Sequence, residues 1–192
     1  MAPATPAKKH LRCLQVNLHH AKAASDVAIR RFTSDDLDVV FIQEPWVHAG
    51  VIKGLNSKRG RLIYNNQHAR PRAAILVNNN VTILPVSEFI LGDLVAIWAK
   101  VPSLSGEHEV ILASAYLPGD TDEAPTPEVR ALVDFCRTRN LGWIIGCDAN
   151  AHHTTWGSTG NNKRGEYLLE FISTNNINIA NRGDEPTFRN II

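Results

Sequence analysis

Three apolar runs in this chain end on side chains able to do chemistry. "LRCLQVNL" delivers Asn17, "FIQEP" delivers Glu44, and "LGWIIGC" runs into Asp148 with Asn150 two places on. Brought to one edge of a layered sheet structure, carboxylates of this kind hold a hard divalent cation through oxygen. A further carboxylate orients or deprotonates a water. An amide donates to a phosphate oxygen and accepts from that water at the same time. The plainer reading of any one such residue is a turn former at a strand end. His152 and His153 follow directly. Adjacent residues splay on a helix and alternate on a strand, so at most one of them points at a site, at a phosphate or a loop backbone. As a zinc pair they lack a second ligand at helical spacing. They read as loop-structuring, and so do His19 and His20. Cys147 reads as a small buried residue, not a nucleophile. The tryptophans read as core, although Trp46 and Trp156 fall in predicted loops.

The elements that must carry these residues alternate in type. Residues 11–18 have Leu14, Val16 and Leu18 at period two, a strand. Residues 21–35 have helical composition, and 38–45 form a short apolar run stopped by Pro45. Residues 46–60 read as loop. Five strand-like runs follow, at 61–65, 72–78, 81–86, 94–101 and 109–118. A helix is predicted from Thr126 as N-cap and Pro127 as first residue, with Val129, Leu132, Val133 and Cys136 on one face. Residues 141–147 return as a strand, 164–176 as a helix carrying Leu168, Phe171 and Ile172, and 177–181 as a last short strand. The mixture predicts a layered α/β fold with antiparallel or mixed sheets.

Composition narrows the classes. The chain has 192 residues, 44% hydrophobic and 20% charged, which suits one globular domain after a flexible tail over residues 1–10. Cys13, Cys136 and Cys147 are odd in number and widely spaced, so they read as reduced thiols and not as a disulfide framework. The first ten residues have no apolar stretch of the signal-peptide kind. No run of about 18 apolar residues exists, so no membrane partner is expected. The net charge of +1 hides an imbalance: residues 1–100 hold 13 Lys/Arg and 7 Asp/Glu, and residues 101–192 hold 7 and 12. Between Glu44 and Glu88 there is no acid, and Lys53, Lys58, Arg59, Arg61, Arg70 and Arg72 all fall there. A stretch of that kind meets phosphates, or else is a solvated loop and a strand edge guarded by charge. There is no GxGxxG, P-loop, GxSxG or HExxH.

Taken in order, "LQVNLHHAKAA", "FIQEPWV", "ASAYLP", "GCDANAHHTTWGS", "NKRGEYLLEFI" and "RGDEPTF" resemble the endonuclease/exonuclease/phosphatase superfamily. The HH-x-x-WGS continuation resembles its branch in non-LTR retrotransposons. The resemblance implies a four-layered α/β sandwich of two packed mixed β-sheets flanked by helices, filling residues 11–192. It implies a nuclease that hydrolyses a phosphodiester of double-stranded DNA and leaves a 3′-hydroxyl to prime reverse transcription. A reverse transcriptase domain would share the parent polyprotein, and the DNA substrate implies a nuclear location. Glu44 would bind Mg²⁺ or Mn²⁺. Asp148 would activate the attacking water, and Asn150 would position it and the phosphate. Asn17 would support metal and phosphate contacts, and Tyr116 would touch the phosphate. DNA contacts are expected from Arg59, Arg61, Arg70, Arg72, His152 and Trp156.

The family pattern continues past "PTF" with Ser-x-x-Ile-Asp and then Ser-Asp-His, and neither occurs in this sequence. The expectation is a domain truncated at its C-terminus, lacking a closing strand and a catalytic histidine, weak or inactive on its own. Robust metal-dependent nicking by the purified chain would contradict that. Two rival readings stand beside it: a superfamily phosphodiesterase acting on another phosphate ester, and a non-catalytic DNA-binding remnant.

Overall fold

The structure, a computed structural model, describes residues 10–103 and 106–181. Residues 1–9 of the tail expected over 1–10, and the "RGDEPTF" segment from Arg182 onward, lie outside the described residues. The chain divides into two compact units. One comprises the residues up to Tyr116 together with Ala131–Asp148, and the other Leu117–Arg130 together with the residues from Ala149 on.

In the first unit the strands are β1 (Cys13–Asn17), β2 (Val39–Gln43), β3 (Val47–His48), β4 (Val51–Ile52), β5 (Gly60–Ile63), β6 (Ala73–Asn78), β7 (Ile83–Ile90), β8 (Leu94–Ser103), β9 (Gly106–Tyr116) and β10 (Gly142–Asp148). One four-stranded sheet has the order β1-β2-β6-β5 and a second the order β10-β9-β8-β7, while β3 and β4 form a small hairpin within the stretch read as loop. In each large sheet one pair is parallel, β1 with β2 and β9 with β10, and the remaining pairs are antiparallel. The sheets are mixed, as expected.

Two-sided burial explains the continuous apolar run of β2, in which all five residues are buried. Val39 and Phe41 join Ala73, Ile75 and Val77 of β6 in a core shared with Val95, Ile97 and Leu112 of the second sheet. Val40 and Ile42 point the other way, with Ala74 and Leu76, onto Ala28 and Phe32 of α1 (Lys22–Ser34). On the outer face of the second sheet lies α2 (Pro127–Thr138), whose Leu132, Val133 and Cys136 are buried. Its Phe135 meets Phe89 of β7 edge to face at 5.4 Å. Helix, sheet, sheet, helix is the four-layered sandwich. Each fully buried Leu, Ile or Phe contributes roughly 1.5–3 kcal/mol. Pro85 is tolerated because β7 is an edge strand.

The second unit holds a short 3₁₀ turn (Thr154–Trp156) and α3 (Lys163–Thr174), along with the start of α2. Asn162 caps α3, its side-chain oxygen accepting from the Gly165 amide. The Arg130 guanidinium stacks 5.0 Å from the Phe171 ring centroid. Residues 177–181, expected as a strand, are irregular. Alternating isoleucines alone do not make a strand; a strand also needs a ladder partner, and none stands beside this segment among the described residues.

Candidate active site

Strand direction assembles the site. Because β1 runs parallel to β2 and β9 to β10, their carboxyl ends coincide: Asn17 lies opposite Gln43, and Asp148 opposite Tyr116. The antiparallel neighbours bring their opposite ends to the same edge. Ala73 pairs with Gln43 and Leu94 with Ala115, so Arg72 and Asp93 arrive there as well. The edge therefore gathers Asn17, Glu44, Arg72, Asp93, Tyr116 and Asp148.

Asn17 is spent at both ends of its amide. Its Nδ2 donates to Asp148 Oδ2 at 2.5 Å, and its Oδ1 accepts from the His19 amide at 2.7 Å. The first contact joins the two sheets and fixes one carboxylate oxygen of Asp148. The second folds the chain back after β1, where His19 and His20 both take left-handed conformations at φ 47° and 54°. That turn carries both imidazoles to Glu44. His19 Nδ1 lies 3.6 Å from one carboxylate oxygen and His20 Nε2 3.6 Å from the other. Glu44 itself sits at φ 47°, a conformation that costs a non-glycine residue about 1–3 kcal/mol and clusters at functional sites. The surrounding backbone over-determines it: the Glu44 amide donates to Arg72 O, and its carbonyl accepts from the His20 amide, both at 2.8 Å. Sequence alone makes the two histidines loop-formers; their approach to Glu44 depends on two consecutive positive φ angles, which no periodicity signals.

Tyr116 is held from the side. The Arg72 guanidinium stacks 4.6 Å from its ring centroid. Asp93 pins that guanidinium through two hydrogen bonds, Nε to Oδ1 at 2.7 Å and Nη2 to Oδ2. The Tyr116 amide donates to Asp93 O at 2.8 Å. Beneath the edge, a fully buried Gln43 bridges the sheets. Its Nε2 donates to Ser114 Oγ at 2.9 Å and to Gly146 O at 3.1 Å, while Ser114 Oγ donates to Ile42 O at 2.8 Å. Gly146 is required for that approach: a Cβ there would lie 2.7 Å from Cβ and Cγ of Phe41 in the opposing sheet. Burial, helped by the Asp148 carboxylate, pushes the Cys147 thiol up to about 11. At neutral pH it is no nucleophile.

The basic stretch divides. Arg72 stands on this edge, and exposed Arg70 lies in the loop leading to it. Arg59 and Arg61 lie at the opposite end of the strands, since Gly60 and Arg61 pair with Asn78 and Val77. Arg59 binds Asp36 there, and Arg61 donates to Val81 O. The structure does not bring these two to the carboxylate edge.

Asn150, His152 and Trp156 belong to the second unit. Asn150 is left-handed at φ 45°, and its Nδ2 donates to Leu117 O at 3.1 Å. His152 is exposed, but both its backbone groups are held by Asn162. Trp156 Nε1 donates to Ala151 O, and its half-buried ring lies 5.3 Å from that of His153, which caps the 3₁₀ turn. Gly165 permits this docking: a Cβ there would fall 1.9 Å from His152 O.

Glu44 and Asp148 offer hard carboxylate oxygens with no competing thiolate, a donor set that suits Mg²⁺ or Mn²⁺. Mg²⁺ is commonly held by one or two carboxylates plus waters and substrate phosphates, not by a closed cage. Among the described residues no group of three or more His, Cys, Asp or Glu is placed to hold a metal ion. No described helix is long and apolar enough to cross a membrane.

A family model described as endonuclease-reverse transcriptase matches residues 110–191. The chain is 28% identical over 186 residues to the RNA-directed DNA polymerase from mobile element jockey of Drosophila melanogaster, covering 91% of this chain and 19% of that protein. Against its Drosophila funebris counterpart it is 23% identical over 175 residues, 89% and 18%. The chain thus spans about a fifth of the length of the curated relatives it matches. Among solved structures, the endonuclease domain of TRAS1, a telomere-specific non-LTR retrotransposon, superposes with a TM-score of 0.71 and 26% identity, over 95% of this chain and 78% of that one. An endonuclease/exonuclease/phosphatase family protein from Bacteroides thetaiotaomicron shares the fold at TM-score 0.53 and 12% identity, over 84% and 68%.

Proposed function

We propose that this chain, which belongs with the non-LTR retrotransposon endonucleases of the endonuclease/exonuclease/phosphatase superfamily, is a divalent-metal-dependent nuclease that nicks duplex DNA. The observation that carries this reading is the shared edge of the two sheets, where Asn17 binds Asp148 beside Glu44 and Tyr116. Glu44 holds the metal, which when bound neutralises charge on the phosphate and on the leaving oxygen. The Asn17 amide donates to Asp148 Oδ2 and orients the carboxylate, which takes a proton from the attacking water. Water oxygen bonds to phosphorus and the bond from phosphorus to the 3′-oxygen breaks. The phosphate stays on the 5′ side, and the leaving 3′-oxygen takes a proton from solvent and is released as a 3′-hydroxyl. Asn150 positions water and phosphate, and Tyr116 donates to a phosphate oxygen from a ring held by Arg72. Arg70, Arg72, His152 and Trp156 supply further DNA contacts.

In a parent protein of the length of its relatives, that 3′-hydroxyl primes reverse transcription at the nick, in the nucleus. The test is nicking of supercoiled plasmid with Mg²⁺ or Mn²⁺ by this chain, by Asp148→Ala, and by a form continued through Ser-x-x-Ile-Asp and Ser-Asp-His. The continued form should nick, Asp148→Ala should abolish it, and the chain alone should be weaker by several powers of ten. Silence from every form on DNA, with turnover of another phosphate ester, would transfer the site to a different substrate. Salt-sensitive duplex binding without cleavage would identify a DNA-binding remnant.

A further inference from the structure

Arg164 is 5% exposed, and among the described residues every hydrogen-bond acceptor of its guanidinium is a backbone carbonyl. Its Nε donates to Asn150 O at 3.1 Å and its Nη2 to Ala149 O at 3.2 Å. Its Nη1 donates to Glu123 O at 3.0 Å and to Thr121 O. All four acceptors lie in the same unit as Arg164. This is an expensive arrangement. A buried cation loses its hydration, and among the described residues it is carbonyl dipoles that compensate here. The residue also sits in the first turn of α3, where the helix dipole disfavours positive charge. An apolar side chain would fill the space at lower cost. What guanidinium alone supplies is geometry: a rigid plane of five donors that fixes several acceptors at once.

The acceptors come from two segments far apart in the chain, 121–123 and 149–150. The second is the pair that follows Asp148, and it includes Asn150 in a left-handed conformation. The next residue in the sequence acts on the same stretch, since the bare Cα of Gly165 admits the His152 carbonyl.

We infer that Arg164 is a positioning residue: by clamping the Ala149 and Asn150 carbonyls it sets the direction of the Asn150 amide. The catalytic consequence rests on the role proposed for Asn150. The test compares Arg164→Met, Arg164→Lys, Asn150→Ala and the Arg164→Met/Asn150→Ala double variant, in the form of the chain that nicks and below each variant's melting temperature. Arg164→Met should lower kcat about 100-fold, the scale of a misplaced catalytic group, with KM for DNA little changed. Arg164→Lys should recover only part, because an ammonium cannot span four carbonyls in one plane. It also serves if the methionine variant does not fold. In the Asn150→Ala background, loss of Arg164 should cost little more, since it acts through a group already gone. Multiplicative losses in the double variant would overturn the assignment and leave Arg164 a general support. Backbone ¹³C′ resonances of Thr121, Glu123, Ala149 and Asn150 give an independent readout. They should move together in Arg164→Lys, and unmoved resonances would also overturn the inference. If no form nicks DNA, the nuclease reading falls, while the carbonyl resonances still decide whether Arg164 fixes this loop.

Discussion

Replacing Gln43 with leucine probes the polar bridge beneath the edge without opening a cavity, because the two side chains are similar in volume. Three contacts go. Gln15 Nε2, which donates to Gln43 Oε1 at 2.6 Å, belongs to an exposed residue and returns to water at little cost. Ser114 Oγ loses the donor at 2.9 Å but keeps its own bond to Ile42 O. Gly146 O loses the donor at 3.1 Å. An abandoned buried partner costs about 1–3 kcal/mol; the retained Ser114 bond puts that group at the lower end. The sum is about 2–4 kcal/mol, a large fraction of the roughly 5–15 kcal/mol of a whole domain. In a chain of this size it corresponds to a fall in Tm of about 5–15 °C. The assay is denaturant unfolding of wild type, Gln43→Leu, Ser114→Ala and the double variant. Removing both partners together abandons fewer groups than the two single changes added, so the double variant should lose at least about 1 kcal/mol less than their sum. A Gln43→Leu protein within about 0.5 kcal/mol of wild type, or strict additivity, would refute the bridge.

Gly165→Ala should prevent the 152–165 region from docking, because its Cβ has 1.9 Å of room against a backbone oxygen; limited proteolysis should cut that region in the variant and spare it in wild type. Asp93→Asn removes the charge that pins Arg72 beside Tyr116. The pair is about one-third exposed, so stability should fall by less than about 1 kcal/mol, whereas nicking should fall about tenfold or more through the loosened tyrosine. Burial pushes the Cys136 thiol up to about 11 from its ordinary 9.0. Below pH 9 both folded and unfolded chains keep that proton, and there is no effect. Between about pH 9 and 11 the unfolded chain ionises first, so stability should decline with rising pH. Cys136→Ala should flatten that part of the curve, and an unchanged slope would refute the thiol's part in it.

The strand ends were legible because each is a short apolar run broken by one polar residue. β2 shows why the run looks continuous: it is buried on both faces, so period two is hidden in composition and expressed only in packing. The split of the basic stretch was not legible. Arg59, Arg61, Arg70 and Arg72 look alike in sequence, but β5 and β6 are antiparallel, so residues a dozen apart emerge at opposite ends. Asp93 and Gln43 escaped for a related reason, since their partners are 21 and more residues away. The "RG" at 164–165 carries no signal in the sequence beyond its place in "NKRGEYLLEFI". Its physical content lies in four carbonyls and one absent Cβ, none of which side-chain patterning can register.

The account depends most on Asp148 as the group that accepts the proton of the attacking water. The direct measurement is the rate of plasmid nicking with Mn²⁺ or Mg²⁺ in the continued form, for wild type and for Asp148→Asn, which keeps the shape and the contact with Asn17 but cannot take a proton. The account predicts metal-dependent nicks bearing 3′-hydroxyls that a polymerase extends, and a loss of about 10²–10⁴-fold or more in Asp148→Asn. Nicking that persists at the wild-type rate in Asp148→Asn would contradict it.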